Sequence, residues 1–252
     1  MGALHAGHAA LIRRARAVVG ARGTVIVSIF VNPAQFGPKE DLSRYPRPFA
    51  ADKKLCASLG VDAIFHPKAG ELYPGDYSVW VEESAVSLGL CGASRPGHFR
   101  GVCTVVLKLF NIVQPHSAVF GLKDFQQCRV ISRMVRDLDV PVRLVFAPTV
   151  RERDGLALSS RNAFLSPEER ADAASLRRAL LTARDAFRSG GRDAGKLEAI
   201  TRGAISPTAR VDYIAVVSSG SLAPVQTVKK GDTIALAAFF GRTRLIDNIQ
   251  LT

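Results

Sequence analysis

The chain has 252 residues, 47% of them hydrophobic and 22% charged, the balance of a soluble globular protein with core enough for one large domain or two smaller ones. No apolar run reaches the length of a membrane span and no signal-peptide pattern opens the chain. The four cysteines (Cys56, Cys91, Cys103, Cys128) are too dispersed for a disulfide framework, so reduced thiols and a cytoplasmic protein are expected. A net charge of +12 raises nucleic acid as a partner, but the basic residues are scattered, with no basic tail and no aromatic-interleaved patch. A surface that favours an anionic small substrate is the better reading.

The first eight residues, Met1-Gly2-Ala3-Leu4-His5-Ala6-Gly7-His8, lead into an apolar, helix-forming run from Ala9 to Val19. If the helix starts by Leu4, His5 and His8 share one face of its first turn. Unpaired N–H groups and the positive end of the helix dipole suit a phosphate there, and both imidazoles could donate to charge developing on it. Two ordinary histidines, or two ligands of a zinc site whose third ligand is not evident, remain open readings.

Thr24 to Val31 is a near-continuous β-branched run, the pattern of a parallel strand buried on both faces. It ends at Asn32-Pro33-Ala34-Gln35, beyond the carboxyl end of a strand, where ligands sit in open α/β sheets. The amides of Asn32 and Gln35 suit hydroxyl or carboxylate recognition, although Asn32 could simply cap the turn. Pro48 to Leu59 predicts a helix, Asp62–Phe65 a strand and Ser78–Val81 another short strand. Arg95-Pro96-Gly97-His98 falls in a loop rich in glycine and basic groups, either an anion site or an ordinary loop. Val102 to Val113 predicts a buried helix, and Ser117–Phe120 a strand that delivers Gly121-Leu122-Lys123-Asp124. Glycine followed by lysine at a strand-to-helix turn can contact phosphate, or Lys123 can be a solvated surface group. Asp124 is expected to cap the following helix, with Gln127 one turn in, and Val142–Phe146 is the next strand.

Strands and helices alternate to this point, which predicts a doubly wound, Rossmann-like parallel sheet over residues 1–147. The pattern then changes. Leu158-Ser159-Ser160-Arg161 offers two hydroxyls and a guanidinium, a trio suited to phosphate oxygens. Ser166-Pro167-Glu168-Glu169 is a capping box that starts a helix running to about Arg188, followed by a second helix from about Ala194 to Ile200. Val211–Val217, Asp232–Phe239 and Thr243–Ile246 are strands separated by turns. They predict a smaller α+β domain with a short antiparallel sheet over residues 148–252.

Taken in order, Met-Gly-Ala-Leu-His-x-Gly-His, Ser-Ile-Phe-Val-Asn-Pro-x-Gln-Phe, Arg-Pro-Gly-His-Phe, Phe-Gly-x-Lys-Asp-x-Gln-Gln and Leu-Ser-Ser-Arg-Asn resemble the pantoate–β-alanine ligase family along essentially the whole chain. The resemblance implies ATP-dependent joining of pantoate to β-alanine through a pantoyl-adenylate, releasing AMP and pyrophosphate, with Mg2+ accompanying ATP. It implies a homodimer, and the composition read above adds the expectation of a cytoplasmic protein with neither nucleic-acid nor membrane partners. Carried onto the matching positions, it makes His5, His8 and Lys123 catalytic, with His8 the proton donor. ATP would be bound by Met1 through His8, Gly121, Leu122, Lys123, Asp124, Val150, Leu158, Ser159, Ser160 and Arg161, the second domain closing over it. Gln35 and Gln127 would hold pantoate, with Asn32 and His98 beside them.

Two departures stand out. Family members carry a strand ahead of the signature, ending Pro-Thr, whereas here Met1 is the signature methionine. A truncated gene reading, and a gap between neighbouring strands of the sheet, are therefore expected. Leu122 stands where the family often has Glu. Other nucleotidyl transferases share the His-x-Gly-His logic but have no reason to carry both Gln35 and Gln127. A basic nucleic-acid-binding protein would leave that pair and the Ser-Ser-Arg trio unexplained.

Overall fold

The computed structural model describes residues 1–38 and 40–252. In chain order its elements are α1 (Ala6–Val19), β1 (Ile26–Ser28), α2 (Phe49–Ser58), β2 (Ala63–Phe65), α3 (Ala69–Leu72), α4 (Cys91–Ser94), α5 (His98–Val113), β3 (Ser117–Gly121), α6 (Phe125–Asp137) and β4 (Arg143–Ala147). They continue with α7 (Pro167–Ala173), α8 (Ser175–Arg188), α9 (Ala194–Ala204), β5 (Arg210–Val217), β6 (Thr233–Phe240) and β7 (Thr243–Gln250). The chain forms two compact units. The first comprises Met1–Ser84, Arg95–Leu122 and Gln127–Pro148, and the second Ala85–Ser94, Lys123–Gln126 and Thr149–Thr252.

In the first unit the strands pair in parallel, β1 with β2 and β3 with β4, as two separate ladders among the described residues. Helix α1 lies against β3 and β4. One core gathers Ile12 of α1, Val25, Val27 and Ile29 around β1, and Cys56 of α2. The Thr24–Val31 run is not buried on both faces: Val25, Val27 and Ile29 are buried, but Ile26 between them is 41% exposed. Its β-branched residues thus follow the two-residue period of a strand with one covered face. Ser78–Val81 joins no ladder; Val81 instead donates its N–H to Thr104 Oγ1 at 3.0 Å. Trp80 stacks on Tyr73 at 6.0 Å and meets the edge of Tyr77 at 5.3 Å, so an aromatic cluster takes up the alternation that predicted a strand.

The second unit is the α+β arrangement expected. Strands β5-β6-β7 form an antiparallel sheet in that order. The central strand, Thr-Ile-Ala-Leu-Ala-Ala-Phe-Phe, is buried at nearly every position, whereas β7 alternates buried and less buried residues. Helices α7, α8 and α9 pack on this sheet through a core that includes Leu176, Leu180, Leu197, Ile234, Leu236 and Leu251. The capping box is formed as predicted. Ser166 Oγ accepts the Glu169 N–H at 3.2 Å, and Glu169 Oε2 accepts the Ser166 N–H at 2.9 Å. The single helix expected to reach Arg188 is instead two, α7 and α8, parted at Ala174.

Candidate active site

The signature loop is built around the first helix, which starts at Ala6, two residues later than the shared-face reading assumed. His5 is its N-cap and His8 sits one turn in. His5 Nδ1 accepts the Gly7 N–H at 3.1 Å, while His8 Nδ1 accepts the His5 N–H at 3.3 Å. The two imidazoles thus do the work of a capping box, and their ring centres lie 4.1 Å apart. An Nδ1 that accepts carries no proton, so each neutral ring keeps its N–H on Nε2. A phosphate oxygen can take a hydrogen bond from such a donor, and the N-terminal end of α1 adds its dipole.

Upstream, Met1 C=O accepts the Phe30 N–H at 2.8 Å, laying the signature along the residues after β1. Gly2 has φ +151, a conformation that side chains disfavour, and Ala3 turns left-handed at φ +49. Asp52, 2% exposed in the first turn of α2, holds the strained turn: its carboxylate accepts the Ala3 N–H at 2.9 Å and the Leu4 N–H at 2.7 Å. Sequence reasoning missed Asp52. Its signal was present, an acidic residue four positions before the core residue Cys56 and hence on the buried face of α2.

The Asn32–Gln35 segment forms a 3-10 turn with Asn32 as N-cap, so the capping reading of Asn32 holds. The same side chain does more. Its amide donates to Gly101 C=O at 3.0 Å and to Gln35 Oε1 at 3.3 Å, and its oxygen accepts from Tyr73 Oη at 2.9 Å. Burial, with Tyr77 adding to it, pushes the Tyr73 phenol up to about 12, and the bond to Asn32 opposes this only in part. Gly101 is required by contact: a Cβ there would fall 2.2 Å from Ala34 O. His98 Nδ1 meets Gln35 C=O at 2.8 Å and its Nε2 meets an Arg95 guanidinium nitrogen at 3.1 Å. Since Arg95 can only donate, His98 Nε2 accepts and Nδ1 carries the proton toward Gln35. Arg95 also grips Glu40 with two bonds of 2.7 Å. Burial would raise the Glu40 carboxyl, but the guanidinium prevails and holds it below its ordinary value.

Gly121 ends β3 opposite Ala147, and Gln127 lies, half-buried, in the first turn of α6 within the first unit. Lys123 and Asp124 belong to the second unit, in a 3-10 turn that runs directly into α6, with Lys123 C=O accepting from Asn248 Nδ2 at 3.0 Å. Val150 and Leu158 face each other in a tight hairpin: the Leu158 N–H donates to Val150 C=O at 3.0 Å, and Arg151 bridges Ala157. Arg151 forms a two-pronged pair with Asp247, at 2.6 and 2.8 Å, and the Asp247 side chain is only 2% exposed. Ser159 caps the next 3-10 turn by accepting the Arg161 N–H at 3.3 Å, and Ser160 and Arg161 lie on that turn. Among the described residues no three His, Cys, Asp or Glu side chains gather as a metal site, so the zinc reading of the histidine pair gains no third ligand.

Comparison with known proteins gives a consistent answer. The family model for pantoate–β-alanine ligase matches residues 1–250. The chain is 53% identical to the pantothenate synthetase of Thermotoga petrophila over all of its own length and 89% of the relative's. It superposes with a TM-score of 0.95 and 46% identity on the crystal structure of pantothenate synthetase from Thermus thermophilus, covering 100% of this chain and 91% of that one. A pantoate–β-alanine ligase from Francisella tularensis, solved as a complex with "Beta-gamma ATP" and β-alanine, aligns with a TM-score of 0.81 and 35% identity, covering 99% of this chain and 87% of the other. A signature loop with the motif's residues in the motif's order, on a fold shared from end to end, places the chain in the pantoate–β-alanine ligase family.

Proposed function

We propose that the chain condenses pantoate with β-alanine at the expense of ATP. In the first step a pantoate carboxylate oxygen bonds to the α-phosphorus while the bond to the bridging oxygen breaks and pyrophosphate departs. In the second the β-alanine amine bonds to the acyl carbon, AMP leaves, and the amine loses a proton. Both steps move charge onto phosphate oxygens, so catalysis is chiefly placement and electrostatic stabilisation. The observation that carries this reading is the paired imidazoles at the N-terminus of α1, each with Nδ1 accepting a backbone N–H, an arrangement that makes Nε2 the donor of a neutral ring.

In this reading His5 and His8 donate to the phosphates, and His8 serves as proton donor. Met1, Gly2, Ala3, Leu4, Ala6 and Gly7 supply the close backbone surface for ATP. Lys123 neutralises phosphate charge, helped by Ser159, Ser160 and Arg161, with Gly121, Leu122, Asp124, Val150 and Leu158 completing the nucleotide contacts. Gln35 and Gln127 hold pantoate. Asn32 and His98 support Gln35, since both are bonded to it. Residues 1–147 would carry nucleotide and pantoate binding, and 148–252 further ATP contacts. Mg2+ would accompany ATP and supply screening of the phosphate charge; among the described residues no three His, Cys, Asp or Glu side chains gather to hold it.

No described helix is long and apolar enough to cross a membrane. A cytoplasmic homodimer, as the family resemblance implies, extends the proposal. For the dimer, the unladdered segment at Ser78–Val81, where Val79 is 72% and Trp80 41% exposed, offers a surface. The test of the chemistry is exchange of labelled pyrophosphate into ATP without β-alanine. Exchange that requires pantoate is expected from a reversible adenylation. Its absence, in a protein that still forms pantothenate, would rule out the adenylate route.

A further inference from the structure

We propose that Asp52 is a positioning residue for adenylation: its buried carboxylate sets the signature loop, and through the loop the ring orientation and tautomer of His5 and His8. The link to adenylation rests on the ligase reading; the link to the rings does not.

A left-handed Ala3 turns the consecutive N–H groups of Ala3 and Leu4 to one side, forming a small anion-binding concavity. Such a cradle usually waits for a ligand's oxygen. Here the protein fills it with its own carboxylate, at 2.9 and 2.7 Å. The next N–H, that of His5, goes to His8 Nδ1, and the N–H of Gly7 goes to His5 Nδ1. Four N–H groups between Ala3 and Gly7 are therefore committed, two to Asp52 and two to the imidazoles. Removing the carboxylate leaves a left-handed alanine with nothing to repay its strain. The loop would relax toward ordinary φ values, and the His5 N–H would turn away from His8. That bond holds Nδ1 of His8 in the acceptor role, so its loss removes one constraint on the tautomer. Asp52 itself is anchored by α2, whose Cys56, one turn on, lies in the core with Ile12 of α1. The carboxylate thus ties the position of the loop to the packing of the two helices that flank it.

The test uses the whole chain labelled with 15N-histidine, comparing the parent with Asp52→Asn and Asp52→Glu. Asparagine is nearly isosteric but retains one acceptor oxygen for two donors. In the parent, long-range 1H–15N spectra should show His5 and His8 as Nε2–H tautomers. In Asp52→Asn both should shift toward a mixture, adenylate formation should slow by about 100-fold, and aminolysis of supplied pantoyl-adenylate by β-alanine should keep its rate. Asp52→Glu should recover part of the loss. Asp52→Asn with parental ring signals would overturn the proposal. So would a variant whose two half-reactions fall together in step with its melting temperature, since that is a purely structural role. If the ring signals move as expected but the parent never consumes ATP with pantoate, the ligase reading fails while the positioning of the rings stands.

Discussion

His5 has two jobs that substitution can separate. As N-cap it accepts the Gly7 N–H, and as a proposed phosphate donor it uses the other ring nitrogen. His5→Ala removes both, and should cost about 1 kcal/mol of stability along with at least roughly 100-fold in adenylation. Asparagine caps helices well but has no imidazole, so His5→Asn should recover the stability in a denaturant titration and leave the activity low. If His5→Asn restored both, the ring would have no role beyond its cap. Glu40 gives a pH-dependent counterpart. Its carboxyl is held below its ordinary value by Arg95, so the pair contributes stability above the unfolded carboxylate pKa and loses it as pH falls through the lower folded value. Glu40→Gln should therefore be less stable than the parent at pH 7 by about 1 kcal/mol, and the two should converge as the pH drops below about 4. A gap that persisted undiminished into acid would show that charge is not the cause.

At the scale of elements, a close fit in the first unit is that between α5 and the turn at Pro33–Gln35, where Gly101 meets Ala34. Gly101→Ala must push the turn away, and Asn32 and Gln35 with it. A KM for pantoate raised by roughly tenfold or more, with a smaller change for ATP, is expected in steady-state kinetics. An unchanged KM would separate Gln35 from pantoate. How much of this was legible in the sequence varies with how local the cause is. The capping box at Ser166, the existence of strand β6 and the alternation of strands and helices behind the parallel pairing are written in short-range pattern and were readable. The contacts that shape the site are not. Asp52 lies about fifty residues from the N–H groups it binds, and Arg95 a similar distance from Glu40, so no spacing rule joins them. The strand predicted at Ser78–Val81 failed because two-residue alternation also suits an extended segment that packs its aromatic ring on Tyr73 and Tyr77. The motifs themselves named the candidate residues; the structure adds which of them hold the others in place, as His98 does for Gln35.

For the molecule as a whole, the charge of +12 and the exposed Val79–Trp80 pair make separate claims. If the pair lies in a homodimer interface, Val79→Glu should shift the sedimentation coefficient from dimer to monomer at micromolar concentration, with the circular dichroism unchanged. A parent that sediments as a monomer would remove the dimer from the proposal. The charge is assigned to attracting anionic small substrates rather than to polynucleotide binding, a choice that matters because both would respond to salt. Activity settles which account is right. The decisive measurement is AMP formation from ATP by the purified chain, with pantoate and β-alanine supplied together and each omitted in turn. AMP produced in step with pantothenate, and only when both are present, is expected. A folded chain that leaves ATP intact in the presence of both substrates would contradict the ligase assignment.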